Sequence, residues 1–251
     1  MAKLLHFEFH KLIRQKSFYI CLAVAVAMLV VSTCTTYLIN KDVMDTAEMA
    51  IDAMNVMIGS ASGGVLSMVI GVFIPLFACE DYVSGTIRNI VTRGYSRLGI
   101  FSAKLIAVML ATAVMTIACM AAGYLIGLIF SGSGVEPFDA NTVNILLCQL
   151  AVMLAEGALF YAISTILQKT GGSIAVCLVL PMVLTIVLTL ADTALAEKDI
   201  SLSAYWLERI SGTLSSFDVK SADMKKALLT ALGYFVVTSA GSFLAVMKRE
   251  Y

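Results

Sequence analysis

The sequence predicts an all-α membrane protein with six transmembrane helices, and three observations carry that prediction. Of the 251 residues, 60% are hydrophobic and 14% are charged, with mean hydropathy +0.92. A soluble globular chain is about 45–50% apolar and about 25% charged. The apolar residues also gather in runs of about 18 or more, long enough for helices to cross a hydrocarbon core and longer than barrel strands. Finally, charge collects between the runs, and the net charge is zero. That balance removes any bulk electrostatic case for nucleic acid.

Residues 3–16, KLLHFEFHKLIRQK, have the period of an amphipathic helix. Leu5, Phe9, Leu12 and Ile13 fall on one face and Lys3, His6, His10 and Arg14 on the opposite one. A basic amphipathic helix before a span is expected to lie along the membrane surface. The first span covers 18–39. Its polar lead-in is too long and too amphipathic for a signal peptide. Residues 40–60 set Asp42, Asp45, Glu48 and Asp52 against Lys41 and are expected to be an external loop.

The second span, 61–78, contains Pro75, which frees the carbonyl of Gly71 and predicts a kink. A dense polar and charged stretch follows at 79–104. The third span, 100–130, is about 45 Å of helix at 1.5 Å per residue, which exceeds a core of roughly 30 Å. It must tilt, break or protrude. Gly123 and Gly127 form a GxxxG pattern that lets another helix approach closely.

Residues 131–142 are expected to be external, 143–167 to be the fourth span, and 168–172 to be a tight turn with Lys169. The fifth span is 173–191, with Pro181 inside it. In the long polar stretch 192–227, Leu202, Tyr205, Trp206 and Ile210 predict a helix lying in the outer interface. The sixth span is 228–247. With both termini cytoplasmic, the inner segments hold eleven Lys and Arg and the outer ones six, five of them in 192–227. The short loops decide orientation, and there the outer side has only Lys41.

The polar segments are too small for a catalytic domain. There is no GxxxxGK[ST], HExxH or CxxC, so the chain is expected to be no enzyme and to hold no cofactor and no metal. The six cysteines fall in or beside apolar runs and are expected to be packing residues. Glu156 is the one carboxylate well inside a span, and Gln149 lies seven residues earlier on the same helical face. Two readings stand: they line a substrate pathway or receive a cationic group, or they make a packing contact. Methionines in the spans suit a greasy, variable substrate, and they also serve as core filler.

Within CEDYVSGTIRNIVTRGYSRLGIFSAK (Cys79 to Lys104), Glu80 precedes Gly85-Thr86, then Ser96-Arg97, then Lys104 at the foot of the third span. With the basic amphipathic start, six spans and a long polar loop before the last, the chain resembles the ABC-2 type permeases. These are membrane subunits of bacterial ATP-binding-cassette exporters. The resemblance implies that residues 1–17 are a cytoplasmic elbow helix and 18–251 the six-span domain. It implies a cytosolic coupling segment between spans 2 and 3 that docks on a separate ATPase subunit, where ATP and Mg are bound. Glu80, Asp81, Gly85, Thr86, Arg88, Arg93 and Arg97 would be its ATPase-coupling residues.

It further implies a second permease copy, identical or a paralogue, in the bilayer of the bacterial cytoplasmic membrane. The small size is similar to that of peptide, bacteriocin and antimicrobial-peptide export and immunity permeases, so an amphipathic peptide is the expected substrate. The alternatives are drugs, ions or lipids, or an ion-coupled secondary transporter that uses Glu156.

Overall fold

The structure, a computed structural model, describes residues 2–43, 53–62, 64–92, 94–131, 140–195, 201–215, 219 and 221–247. All regular structure among them is helical. The helices are α1 (Ala2–Arg14), α2 (Lys16–Val43), α3 (Ala53–Ala61), α4 (Val65–Val83) and α5 (Thr86–Thr92). They continue with α6 (Arg97–Ser131), α7 (Ala140–Leu167), α8 (Thr170–Ala194), α9 (Leu207–Thr213) and α10 (Ser221–Met247). Six segments among the described residues are long and apolar enough to cross a membrane: 16–39, 53–83, 98–130, 140–167, 170–194 and 221–247. The chain is an all-α membrane protein.

Helices α4 and α7 form the centre, and α2, α8 and α10 are mostly exposed. In lipid, packing rather than water expulsion drives helices together. The centre is accordingly built from flat aromatic contacts and small residues. Phe73 stacks on Phe77 at 5.9 Å and meets Phe18 edge-on at 5.6 Å. Tyr161 donates its hydroxyl to the Phe101 carbonyl at 3.2 Å. Helix α2 contributes one stripe, Phe18, Cys21, Ala25, Leu29 and Thr33, and leaves Ile20, Val24 and Val31 exposed. Cys21, Cys79, Cys119, Cys148 and Cys177 are buried, and none of the six cysteines is in a disulfide.

The structure differs from the sequence reading at five places. Residues 53–60, read as external loop, form most of α3, whose Ala53, Met54, Met57 and Ile58 are buried. The pattern Gly123–Gly127 receives this helix. A Cβ at Gly127 would lie 2.6 Å from Ala53 Cα, and one at Gly123 would lie 2.7 Å from Ser60 Oγ. The second membrane segment therefore includes α3 and α4, and α4 runs through Pro75 to Val83, so Cys79–Val83 belongs to the span.

In α1 the inward face is Leu4, Glu8 and Leu12, and Ile13 is exposed at 61%. The helix is turned because charged partners, described below, draw Glu8 and Lys11 inward. In 192–227, Trp206 and Ile210 are buried with Leu207 and Leu214 against α7 and α10, whereas Leu202 and Tyr205 are exposed. The Trp206 indole N–H donates to Thr185 Oγ1 at 2.9 Å, which draws this ring inward. Tyr205 instead offers its face to Lys226 Nζ at 4.3 Å. Helix α10 also starts seven residues before the expected sixth span.

Candidate functional site

The densest polar cluster lies where α1, α4 and α6 meet. Lys11 Nζ is 2.5 Å from Asp81 Oδ1 and 3.0 Å from Glu80 Oε2. Lys104 pairs with Asp81 Oδ2 from the other side and donates to the Ala78 carbonyl at 3.4 Å. Gln15 Nε2 donates to Glu80 Oε2 at 3.4 Å. Asp81 thus holds lysines from two helices at once, while only 4% exposed, and Lys104 is only 2% exposed. Both ammonium groups also lie near aromatic faces, Lys11 at 5.4 Å from Phe77 and Lys104 at 5.8 Å from Tyr82.

Glu8 completes the cluster from α1. It is buried, and its Oε2 accepts no hydrogen bond among the described residues. Burial pushes its carboxyl up from the ordinary value, against the pull of Lys104. Burial opposes the charge on Lys11, but the hydrogen bonds and charges of Asp81 and Glu80 override it and raise its pKa. Around Asp81 itself the charges balance, since two lysines, Lys11 and Lys104, face two carboxylates, Asp81 and Glu80.

Two glycines in left-handed conformation bound the segment that leaves this cluster. Gly85 has φ 70° and Gly94 has φ 83°, values that L side chains rarely adopt. Between them α5 shows hydroxyls at its start, where Ser84 and Thr86 share a hydrogen bond of 2.8 Å. Its Ile90 packs against the cluster of Leu4, Ile100 and Ala103 from α1 and α6. Ser96 Oγ then accepts from Gly99 N at 3.2 Å and so caps the start of α6. The segment is fastened twice, by an apolar contact to α1 and α6 and by the ion cluster at its root.

Glu80, Asp81, Gly85 and Thr86 of the predicted coupling set all stand in this assembly. Arg88 is in α5 and Arg97 opens α6, with side chains outside the described parts. Arg93 lies outside the described residues. Sequence reasoning missed Glu8 and Lys11 as members, and saw Lys104 only as part of a motif. A signal was present: two charged residues at the period of Leu4 and Leu12, on the apolar face of an amphipathic helix.

The other two predicted residues, Gln149 and Glu156, are both buried in α7. Gln149 Nε2 donates to Ile58 O at 3.0 Å and Leu214 O at 3.3 Å, tying α3 and the end of α9 to α7. Glu156 accepts a hydrogen bond from Ser67 of α4. They share a helix face, as the spacing predicts, but they meet different helices.

A family model described as ABC-2 family transporter protein matches residues 4–192. That range runs from the first turn of α1 into the last turn of the fifth membrane segment and includes every member of the ion cluster. No curated protein matches the chain. With about three-quarters of its length matched by that family, on a six-segment helical membrane fold, the chain belongs to the ABC-2 family of transporter permeases.

Proposed function

We propose that this chain is the membrane subunit of an ATP-driven exporter, with the α1 end of the bundle in the cytoplasm and residues 84–96 as the surface on which a separate ATPase subunit acts. The observation that carries the reading is the shared anchoring of α1, α4 and α6 by Asp81, at the root of α5. A push on α5 enters three helices together, because Asp81 holds lysines from two of them and is itself part of the third. A buried ion pair is stiff in this sense, since separating it leaves a charge uncompensated. The excess of Lys and Arg at the same end supports the orientation. The exposed apolar sides of α2, α8 and α10 leave room for lipid and for a second copy. The greasy, methionine-bearing spans favour an amphipathic peptide as cargo.

The test is to extract the chain from its own membrane in mild detergent and to assay ATP hydrolysis on what co-purifies. An associated ATPase is expected, with hydrolysis that responds to added peptides. Arg93→Glu and Arg97→Glu are expected to leave the permease inserted but to lose that response. If both variants behave as the unmodified chain does, the coupling assignment is wrong. Purification of the chain with no ATPase would instead favour a secondary transporter centred on Glu156.

A further inference from the structure

We propose that a cavity between α4, α8 and α9 binds an amphipathic monocation, and that Glu208 is the residue that meets its positive charge. The cavity is open on one side, has a volume of about 680 Å³, and is lined by the exposed Met68 of α4 and Met182 and Ile186 of α8, with Thr185 of α8 and Glu208 and Arg209 of α9. Sites for small organic ligands occupy roughly 300–1,000 Å³ and combine apolar walls with a few placed polar groups. This one has that composition, and its two methionines adapt to ligands of varied shape.

The carboxylate is held in place from behind. The Trp206 indole can only donate, and it donates to Thr185 Oγ1 at 2.9 Å. The Thr185 hydroxyl therefore receives one proton and turns its own towards two acceptors, Glu208 Oε2 at 2.6 Å and the Pro181 carbonyl at 2.9 Å. No cation among the described residues pairs with Glu208. Arg209 borders the same cavity, but its side chain is exposed and its charge acts on Asp192, which also accepts from the backbone of Leu202 and Ser203. An oriented carboxylate without a counter-ion, set in an apolar wall, favours a ligand that brings one positive charge on a hydrophobic body. An anion would be repelled, and a neutral lipid tail would leave Glu208 unmatched.

Glu208 lies beyond residues 4–192, so this charge belongs to the part of the chain that the family model does not cover. The inference rests on the transporter reading for its meaning, since the ligand would be cargo, but binding itself needs no ATPase. The full chain would be placed in phosphatidylcholine nanodiscs and dialysed against radiolabelled tetraphenylphosphonium or tetraphenylborate. These two probes match in size and are opposite in charge, and empty discs report partition into lipid. Saturable binding of the cation is expected, with one site per chain, and none of the anion.

Glu208→Gln keeps a partner for Thr185 and is expected to weaken the cation by about tenfold or more, the scale of one charged hydrogen bond. Met182→Trp, which fills the cavity, is expected to weaken it as well. Equal behaviour of the two probes, or cation binding unchanged in Glu208→Gln, overturns the proposal. If Glu208→Gln loses its thermal transition, Met182→Trp decides, and undiminished binding there has the same consequence. A preparation that still yields a co-purifying ATPase but shows no cation site would sink this inference and leave the permease reading intact.

Discussion

Asp81 is the residue on which the ion cluster turns. Replacing it with asparagine removes the charge that two lysines share and leaves Lys104, which is 2% exposed, with the Ala78 carbonyl. Breaking a buried pair from one side costs about 3–5 kcal/mol. Glu80 touches the same Lys11, but its side chain is half exposed, so Glu80→Gln should cost no more than about 1 kcal/mol. Thermal unfolding of both variants in one detergent separates the two, and equal losses would contradict a buried centre at Asp81. Glu8 adds a pH dependence of the opposite sense to a paired acid. Burial raises its folded-state pKa above 4.5, with Lys104 and Lys11 pulling down and Asp81 and Glu80 pushing up. Its penalty on stability is therefore absent below that unfolded value and complete once the pH exceeds the folded value. Glu8→Gln should raise the unfolding temperature at about pH 8, and the gain should vanish towards about pH 4. A gain of the same size at both pH values would place the effect in packing rather than in ionisation.

At the scale of the element, the contact of α3 with α6 is the sharpest case of sequence and structure informing each other. A Cβ at Gly127 would approach the backbone of Ala53 to 2.6 Å, which no side-chain rotation relieves. Gly127→Ala should destabilise the fold by about 1–3 kcal/mol, the range for overpacking a close contact. At Gly233 on α10 an added Cβ meets nothing, and alanine there should be neutral or favourable by up to about 1 kcal/mol. Equal melting temperatures for the two variants would mean that α3 does not seat on α6 as described. The glycine pair was legible from its spacing, but its partner was not. Ala53–Ala61 is only nine residues and follows an acidic run, so hydropathy assigns it to the outside. The long spans were legible because a backbone in lipid has to satisfy its own hydrogen bonds, and apolar length suffices to mark it. Helix α1 was legible as a helix, but its face was not. A face drawn through Leu5, Phe9, Leu12 and Ile13 leaves Glu8 and Lys11 off it, whereas one drawn through Leu4 and Leu12 includes them, and their meeting with Asp81 and Lys104, far along the chain, selects the second.

For the whole molecule, the decisive quantity is which end of the bundle faces the ATP of the cell. The ion cluster and α5 lie at the end where α1 sits, and α3, α9 and the turn around Tyr205 lie at the other. Both ends offer an exposed side chain for chemical labelling, Ser96 beside α5 and Tyr205 before α9. Of the native cysteines only Cys34 is not buried, so Cys34→Ser provides a quiet background. On that background Tyr205→Cys should react with a membrane-impermeant maleimide in intact cells. Ser96→Cys should react only after the membrane is opened. The opposite pattern would put α5 on the side that holds no ATP. The coupling role of Asp81 would then fail, whatever its effect on stability, because no nucleotide-driven partner could reach the segment it anchors.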